Sequence, residues 1–432
     1  MPPAHLLVIG YVWPEPRSSA AGGHIMQILQ AFLDQGWQVT FASPAGDGEH
    51  MADLAALGIA RQAIKLNDES FDRFITELNP DAVLFDRFMM EEQFGWRVEK
   101  HCPTALRVLE TSDLQSLRDA RQLRLKDALK ADPQRDDFST LFGLDHPDLY
   151  RHMAAADISQ REVAAIYRGD LSLMISEPEI ELLTGQFRVP GALLHHCPLM
   201  VEASGPGKSF EQRAHFLSIG NFRHAPNWDA VLWLKTVLWP RIRQRLPQAE
   251  LHVYGAYTPP KATALNNPAQ GFRVLNWAED ALQVMGDARV ALAPLRFGAG
   301  IKGKLLDAMV CGTPSVTTPI GAEGMHGTLA WPGLVASDVE GLVNAAVTLY
   351  QDEAAWQQAN AHAPALLQAR YRYRPHADAL LARIDTLRHN LDTHRLGNFT
   401  GAMLRHHQHK STQYMAQWIE AKRKNTEILD PI

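Results

Sequence analysis

Residues Ala293-Pro-Leu-Arg-Phe-Gly-Ala-Gly-Ile-Lys-Gly-Lys-Leu-Leu-Asp-Ala308 place a glycine-rich turn, two lysines and a carboxylate directly after an apolar run that begins at Ala288. The run reads as a strand, the turn as a loop, and the residues from about Gly303 as a helix. Gly298, Gly300 and Gly303 let the backbone approach a ligand that bulkier residues would hold away, with amides facing an anion. Lys302 and Lys304 add point charges suited to a diphosphate, and Asp307 on the helix can accept hydrogen bonds from ribose hydroxyls. Cys311-Gly-Thr-Pro-Ser-Val-Thr-Thr-Pro319 then supplies a helix stop, a proline-marked turn and a short β-branched strand. The pattern describes a nucleoside diphosphate pocket in an α/β unit; the plainer alternative is an ordinary strand, loop and helix with solvated lysines.

The same alternation extends in both directions. Upstream, strands are predicted at 215–220, 250–255 and 272–275, with helices at 227–245 and 279–285 between them. Farther back, strands at 5–10, 37–43, 82–85, 104–109 and 171–176 alternate with helices at 24–35, 70–78 and 91–100, so the first half is also doubly wound. Residues 117–159 are charged, rich in Arg, Asp and Leu, and read as a helical excursion on the surface. Polar residues 202–208 read as the linker. The tail from Arg370 is helical and rich in His, notably Arg405-His-His-Gln-His-Lys410.

A chain of 432 residues, 46% hydrophobic, is long enough for two or three domains with substantial cores. Its formal charge of −6 gives no electrostatic reason to expect nucleic acid as a partner. Cys102, Cys197 and Cys311 are far apart and lack metal or disulfide spacing, which fits a reducing cytoplasm. No signal peptide and no apolar run of about 18 residues is evident, so peripheral membrane contact stays open while a spanning helix is not expected.

The segment from Ala288 to Gly324 closely resembles the donor-binding signature of the GT-B "group 1" glycosyltransferases, a family 4-like, nucleotide-sugar-dependent group. The resemblance is strong over 215–325 and looser over 5–200. It implies an α/β GT-B fold: an acceptor domain at 1–200, a donor domain at 209–368, a central cleft, and a helical tail at 369–432 that crosses back. It implies transfer of a sugar from a UDP- or GDP-type donor to a hydroxyl on a glycan or lipid-linked acceptor, with retention, and with neither a metal nor a tightly bound cofactor. A non-catalytic nucleotide-sugar or glycan-binding protein and a GT-B-like epimerase are the alternatives.

By the same resemblance Lys302, Lys304 and Arg223 stabilise the leaving diphosphate, and Gly220 and Asn227 line the nucleotide site. The family commonly grips the diphosphate with an Arg and a nearby Lys; here only Arg223 is present, which shifts the charge onto the two lysines. Of the retaining members' paired glutamates, Asp307 matches the second and Ala299 stands at the first. A subset of the family uses backbone at that place, here Gly298, Ala299, Gly300 and Ile301. Asn276 and Trp277 end a strand where the base would rest, although Trp277 reads equally as core. Asn227 reads equally as a helix N-cap.

In the first half, Gly22 and Gly23 precede or open the first helix and would turn its N-terminus toward the cleft. His24 is either a substrate contact or part of the helix cap. Asp86-Arg87 and Glu110-Thr-Ser-Asp113 follow strands, at the ends where open α/β sheets hold ligands. Arg87, Asp113 and His24 are the acceptor-side candidates, with Asp113 as N-cap the alternative. Arg118 and Arg121 could meet an anionic acceptor, and Glu323 a sugar. His406, His407 and His409 lack partner ligands for a metal, and His195-His196 reads as local structure.

Overall fold

The structure, a computed structural model, describes residues 3–144, 146–202 and 207–429. Most of the expected linker, residues 203–206, lies outside them. Among the described residues thirteen short strands form two sheets, all with parallel pairing. In the first half they are β1 (His5–Ile9), β2 (Gln38–Ser43), β3 (Ala60–Ala63), β4 (Ala82–Asp86), β5 (Leu106–Glu110), β6 (Leu171–Met174) and β7 (Leu194–His196). In the second they are β8 (Ala214–Ile219), β9 (Leu251–Tyr254), β10 (Phe272–Asn276), β11 (Ala288–Ala293), β12 (Ser315–Thr317) and β13 (Gly333–Val335).

The first sheet runs β3-β2-β1-β4-β5-β6-β7 and the second β10-β9-β8-β11-β12-β13. Each reverses direction once, between β1 and β4 and between β8 and β11. Those switch points open a crevice at the carboxyl ends of the strands, where such sheets hold ligands.

Helices cover both faces of the first sheet because its strands are apolar on both. Leu6 and Val8 of β1 enter one core with Ile28, Phe32 and Leu84, while Leu7 and Ile9 enter the opposite core with Val83 and Phe94. The helix Tyr373–His389 contributes Tyr373, Ala377, Leu380 and Ile384 to the first of these cores. Farther along, Arg395 donates to both carboxylate oxygens of Asp170 at 2.8 Å, and Asn398 Nδ2 donates to the Tyr167 carbonyl at 2.7 Å. No helix among the described residues is long and apolar enough to cross a membrane.

The excursion at 117–159 lies only partly on the surface. The helix Gln115–Ala131 buries Leu117, Ala120, Arg121 and Leu125, and Leu125, Phe138 and Phe142 join the core of the second domain. Phe138 packs edge-on against Trp233 at 5.2 Å, its amide donates to the Ser337 carbonyl, and Val339 N donates to Asp136 O. The density of charge hides this, because Arg121 is paired across the domain interface with Glu323 and Gly298, while Arg118 and Arg124 are held by Asp113 and by the Thr140 and Leu141 carbonyls. Strands β3, β7 and β13 were also missed. Each is three or four residues long at or near a sheet edge, and β3 carries Arg61 and Gln62.

Candidate functional site

On the second domain, the loop after β11 leads into the helix Gly303–Val310, which carries Lys304 and, one turn on, Asp307. Lys304 Nζ donates to Asn227 Oδ1 at 2.7 Å, and Asn227 Nδ2 donates to the Asn221 carbonyl at 2.9 Å. Gly220, just past β8, is the floor of this group: a Cβ there would stand 2.6 Å from Asn227 Nδ2 and 2.7 Å from Lys304 Nζ. Burial lowers the Lys304 amine to about 8 against the pull of Asp307, and raises Asp307 to about 7 against the pull of Lys304. Asn227 is not an N-cap, since the helix starts at Ala225 behind His224 and Asn227 sits inside its first turn.

The helix Ala20–Asp34 of the first domain starts against the same place, with Ala20 beside Gly303. Two helix N-termini therefore converge, each the positive end of a dipole. Gly22 and Gly23 do not offer free amides there. Ser19 is the cap, its Oγ accepting from Gly22 N at 3.0 Å and its carbonyl from Gly23 N at 3.1 Å. Gly22 is needed for packing, since a Cβ would lie 2.4 Å from the Glu15 carbonyl oxygen.

The glycine-rich loop itself is docked into the first domain. Gly300, at φ 62°, donates its amide to Glu179 Oε1 at 2.8 Å, and a Cβ on it would lie 2.8 Å from Asp113 Cβ. Ala299 packs in a first-domain core and Ile301 against Ile175 and Leu199. The Gly298 carbonyl accepts from Arg121, whose guanidinium also meets both Glu323 oxygens at 2.7 and 2.8 Å. Lys302 Nζ turns inward to the Gly300 carbonyl at 2.7 Å, and burial lowers it to about 8 although Glu323 opposes this. In this closed arrangement Ala299, Gly300 and Ile301 join the two domains, Lys302 braces their loop from within, and Lys304 is the lysine beside Gly220 and Asn227.

Around Trp277, at the end of β10, first-domain loops reach across. His50 stacks on the Trp277 ring at 4.4 Å and 17°, and the Arg17 guanidinium lies 5.2 Å from its centroid. Asn276, at φ 61°, gives its carbonyl to Gly255 N at 2.7 Å. Arg223 lies 3.5 Å over the Tyr257 ring, and Tyr257 donates its hydroxyl to Glu15 at 2.7 and 2.8 Å. Sequence reasoning did not single out Glu15, Arg17, His50 or Tyr257. Their signal was position alone, in loops that follow strands at the cleft edge.

On the first-domain side, Arg87 stands at φ 77°, ψ 153° where β4 enters a helix, a conformation that costs a non-glycine residue about 1–3 kcal/mol. Such strain at the carboxyl end of a strand marks a place worth its cost. Asp86 beside it is raised by burial to about 6 against the pull of Arg87. Asp113 pairs with Arg118 and does not cap the helix, which begins at Gln115. His224, from the second domain, lies within electrostatic reach of Asp113, Arg118, Lys304 and Arg87. His24 lies in the second turn of its helix, 1% exposed, with Nδ1 3.2 Å from Glu110 and Nε2 3.8 Å from Cys197 Sγ. Burial pushes this imidazole down, but the hydrogen bonds to Cys197 and Glu110 outweigh it and lift it to about 10. His24 thus ties the end of β5 to the chain just after β7. No group of three or more His, Cys, Asp and Glu side chains suited to a metal ion occurs among the described residues.

Residues 213–352 match the family model of glycosyl transferases group 1. Among solved structures, Anabaena HepE in complex with UDP and glucose superposes with a TM-score of 0.61 at 12% identity, covering 88% of this chain and 99% of that one. Sucrose-phosphate synthase from Thermosynechococcus elongatus gives 0.61 at 14%, with 89% and 99% covered. A glycosyltransferase from Rickettsia africae gives 0.60 at 9%, with 90% and 99% covered. The chain has the GT-B fold, and residues 213–352 of it match the group 1 glycosyl transferases. No curated protein matches it in sequence. The glycosyl transferase domain holds Gly220, Arg223, Asn227, Trp277, Lys304, Asp307 and Glu323, whereas Glu15, Arg17, His50, Arg87 and Asp113 face it from outside the matched span.

Proposed function

We propose that this protein is a glycosyltransferase that moves a sugar from a UDP- or GDP-type donor to a hydroxyl on a glycan or lipid-linked acceptor, with retention and without a metal, in the cytoplasm. The observation that carries the reading is the meeting of Lys304, Asn227 and Gly220 with two helix N-termini. As the bond from the anomeric carbon to the diphosphate oxygen breaks and the bond to the acceptor oxygen forms, negative charge grows on the diphosphate, whose departing oxygen then takes the acceptor hydroxyl's proton. A fixed ammonium and the positive ends of two helix dipoles in a cleft closed to water stabilise that charge most in the transition state. Asp307 takes ribose hydroxyls, Trp277 stacks on the base once His50 leaves its ring, and Arg223 reaches a phosphate once it leaves Tyr257. Arg87 and Asp113 face the acceptor.

One observation favours a second reading, a protein that binds the donor without turnover: Ala299 replaces the first family carboxylate and is packed against the first domain. Incubation with a panel of UDP- and GDP-sugars separates the two. Thermal shift plus nucleoside diphosphate release, both lost in Lys304→Ala, is the expected result. Shift without release, with acceptors supplied, would favour the binding protein, and no response to any donor would overturn the donor site.

A further inference from the structure

The last helices present solvent with the face that normally lies inward. Along Phe399–Leu404, a π turn at Arg405–His409 and Lys410–Leu429, the residues turned to the first domain include Gly401, Arg405, His409 and Ala416. His409 enters between Glu91 and Glu99, and Glu420 accepts from the Glu69 amide at 2.8 Å. The outer face carries Phe399, Met403, Tyr414, Met415 and Trp418, with Phe399 72%, Tyr414 65% and Trp418 59% exposed. Tyr414 and Trp418 are one turn apart, in line with Lys410 and Lys422, and Lys422 Nζ lies 5.2 Å from the Trp418 centroid. Arg423 adjoins them.

We propose that this stripe docks the protein on an anionic lipid surface. Charge decides the occupant. From Thr393 to Ile419 the sequence has no Asp or Glu, in a chain whose formal charge is −6. Aromatic rings with a polar edge suit the headgroup boundary, while lysine stems lie along the apolar region and their ammoniums meet lipid phosphates. A second copy of the chain, packed face to face about a two-fold axis, would set Lys410, Lys422 and Arg423 against the same cluster of charges. The surface lies beside the first domain, so docking brings the acceptor half to the membrane.

The test is co-sedimentation of the full chain with vesicles of phosphatidylcholine alone and of phosphatidylcholine with phosphatidylglycerol. Binding is expected only with phosphatidylglycerol and falls as salt is raised. The pair Tyr414→Ser and Trp418→Ser should weaken it by about tenfold or more, and Lys410→Glu alone by about fivefold or more. Both variants change exposed side chains and should keep the wild-type melting temperature. Absence of binding, equal binding without the anionic lipid, or undiminished binding by both variants would overturn the proposal. So would a solution dimer that the Tyr414 and Trp418 substitutions split. Lipid binding needs no donor and no turnover, so its failure would leave the transferase reading standing.

Discussion

Gly303 and Ala20 bring the two helix starts together so tightly that a methyl group on Gly303 would lie 2.5 Å from Ala20 Cβ. The neighbour is a stub on a helix and cannot swing aside. Gly303→Val must therefore separate the domains or strain the helix, at about 1–3 kcal/mol. The expected outcome is a larger radius of gyration by small-angle X-ray scattering and about 100-fold slower diphosphate release, as a misplacement of about 1 Å can cause. Wild-type values of both would show that closure does not use this contact.

Lys304 and Asp307 give donor binding a pH dependence of definite sign. The ammonium, lowered to about 8, must be charged to hold a diphosphate, so affinity falls as pH rises through about 8. The carboxyl, raised to about 7, must be ionised to accept two ribose hydroxyls, so affinity falls as pH drops through about 7. Isothermal titration with the donor should give a narrow maximum between these limbs. Lys304→Arg should remove the alkaline limb and Asp307→Asn the acidic one. A flat profile in the wild type would mean that neither group touches the donor.

Arg121 and Glu323 join the domains through two hydrogen bonds, with Arg121 also on the Gly298 carbonyl. Removing Glu323 leaves a buried guanidinium with one partner fewer, so Glu323→Ala should cost about 3 kcal/mol in denaturant unfolding. The double variant with Arg121→Met should be more stable than the sum of the single losses, with a coupling of about 1–3 kcal/mol. Additive losses would show that the pair is not coupled.

Much of this architecture was legible because strands buried on both faces leave long apolar runs. β1, β4, β5 and β11 stand out, and glycine marks the turns that follow β8 and β11. What the sequence hid is how the halves meet. Arg121 looks solvated in a charged helix and is buried against Glu323. Lys302 and Lys304 look equivalent two residues apart, yet on either side of the helix start one turns to Gly300 and the other to Asn227. Glu15 and His50 carry no motif, since their partners Tyr257 and Trp277 are more than 200 residues away. Pairings between domains have no local period, so only the assembled cleft reveals them.

Glu179 offers a further test of the closed cleft. It is 1% exposed, and its Oε1 accepts from Gly300 N at 2.8 Å and Leu114 N at 3.2 Å, while Oε2 has no hydrogen-bond partner. Burial, then the charge on Asp113, raises its carboxyl to about 8, so it is neutral at pH 7. Glutamine keeps the accepting oxygen and carries no charge. Glu179→Gln should therefore unfold within about 1 kcal/mol of wild type at pH 5, whereas Glu179→Ala strands two amides and costs about 1–3 kcal/mol. The folded protein holds this proton up to about pH 8, but the unfolded chain releases it near the ordinary glutamate value. Wild-type stability accordingly declines relative to Glu179→Gln as pH rises from about 4.5 to about 8. Denaturant midpoints across that range measure the difference, and parallel curves for the two proteins would mean that Glu179 is ionised in the folded state.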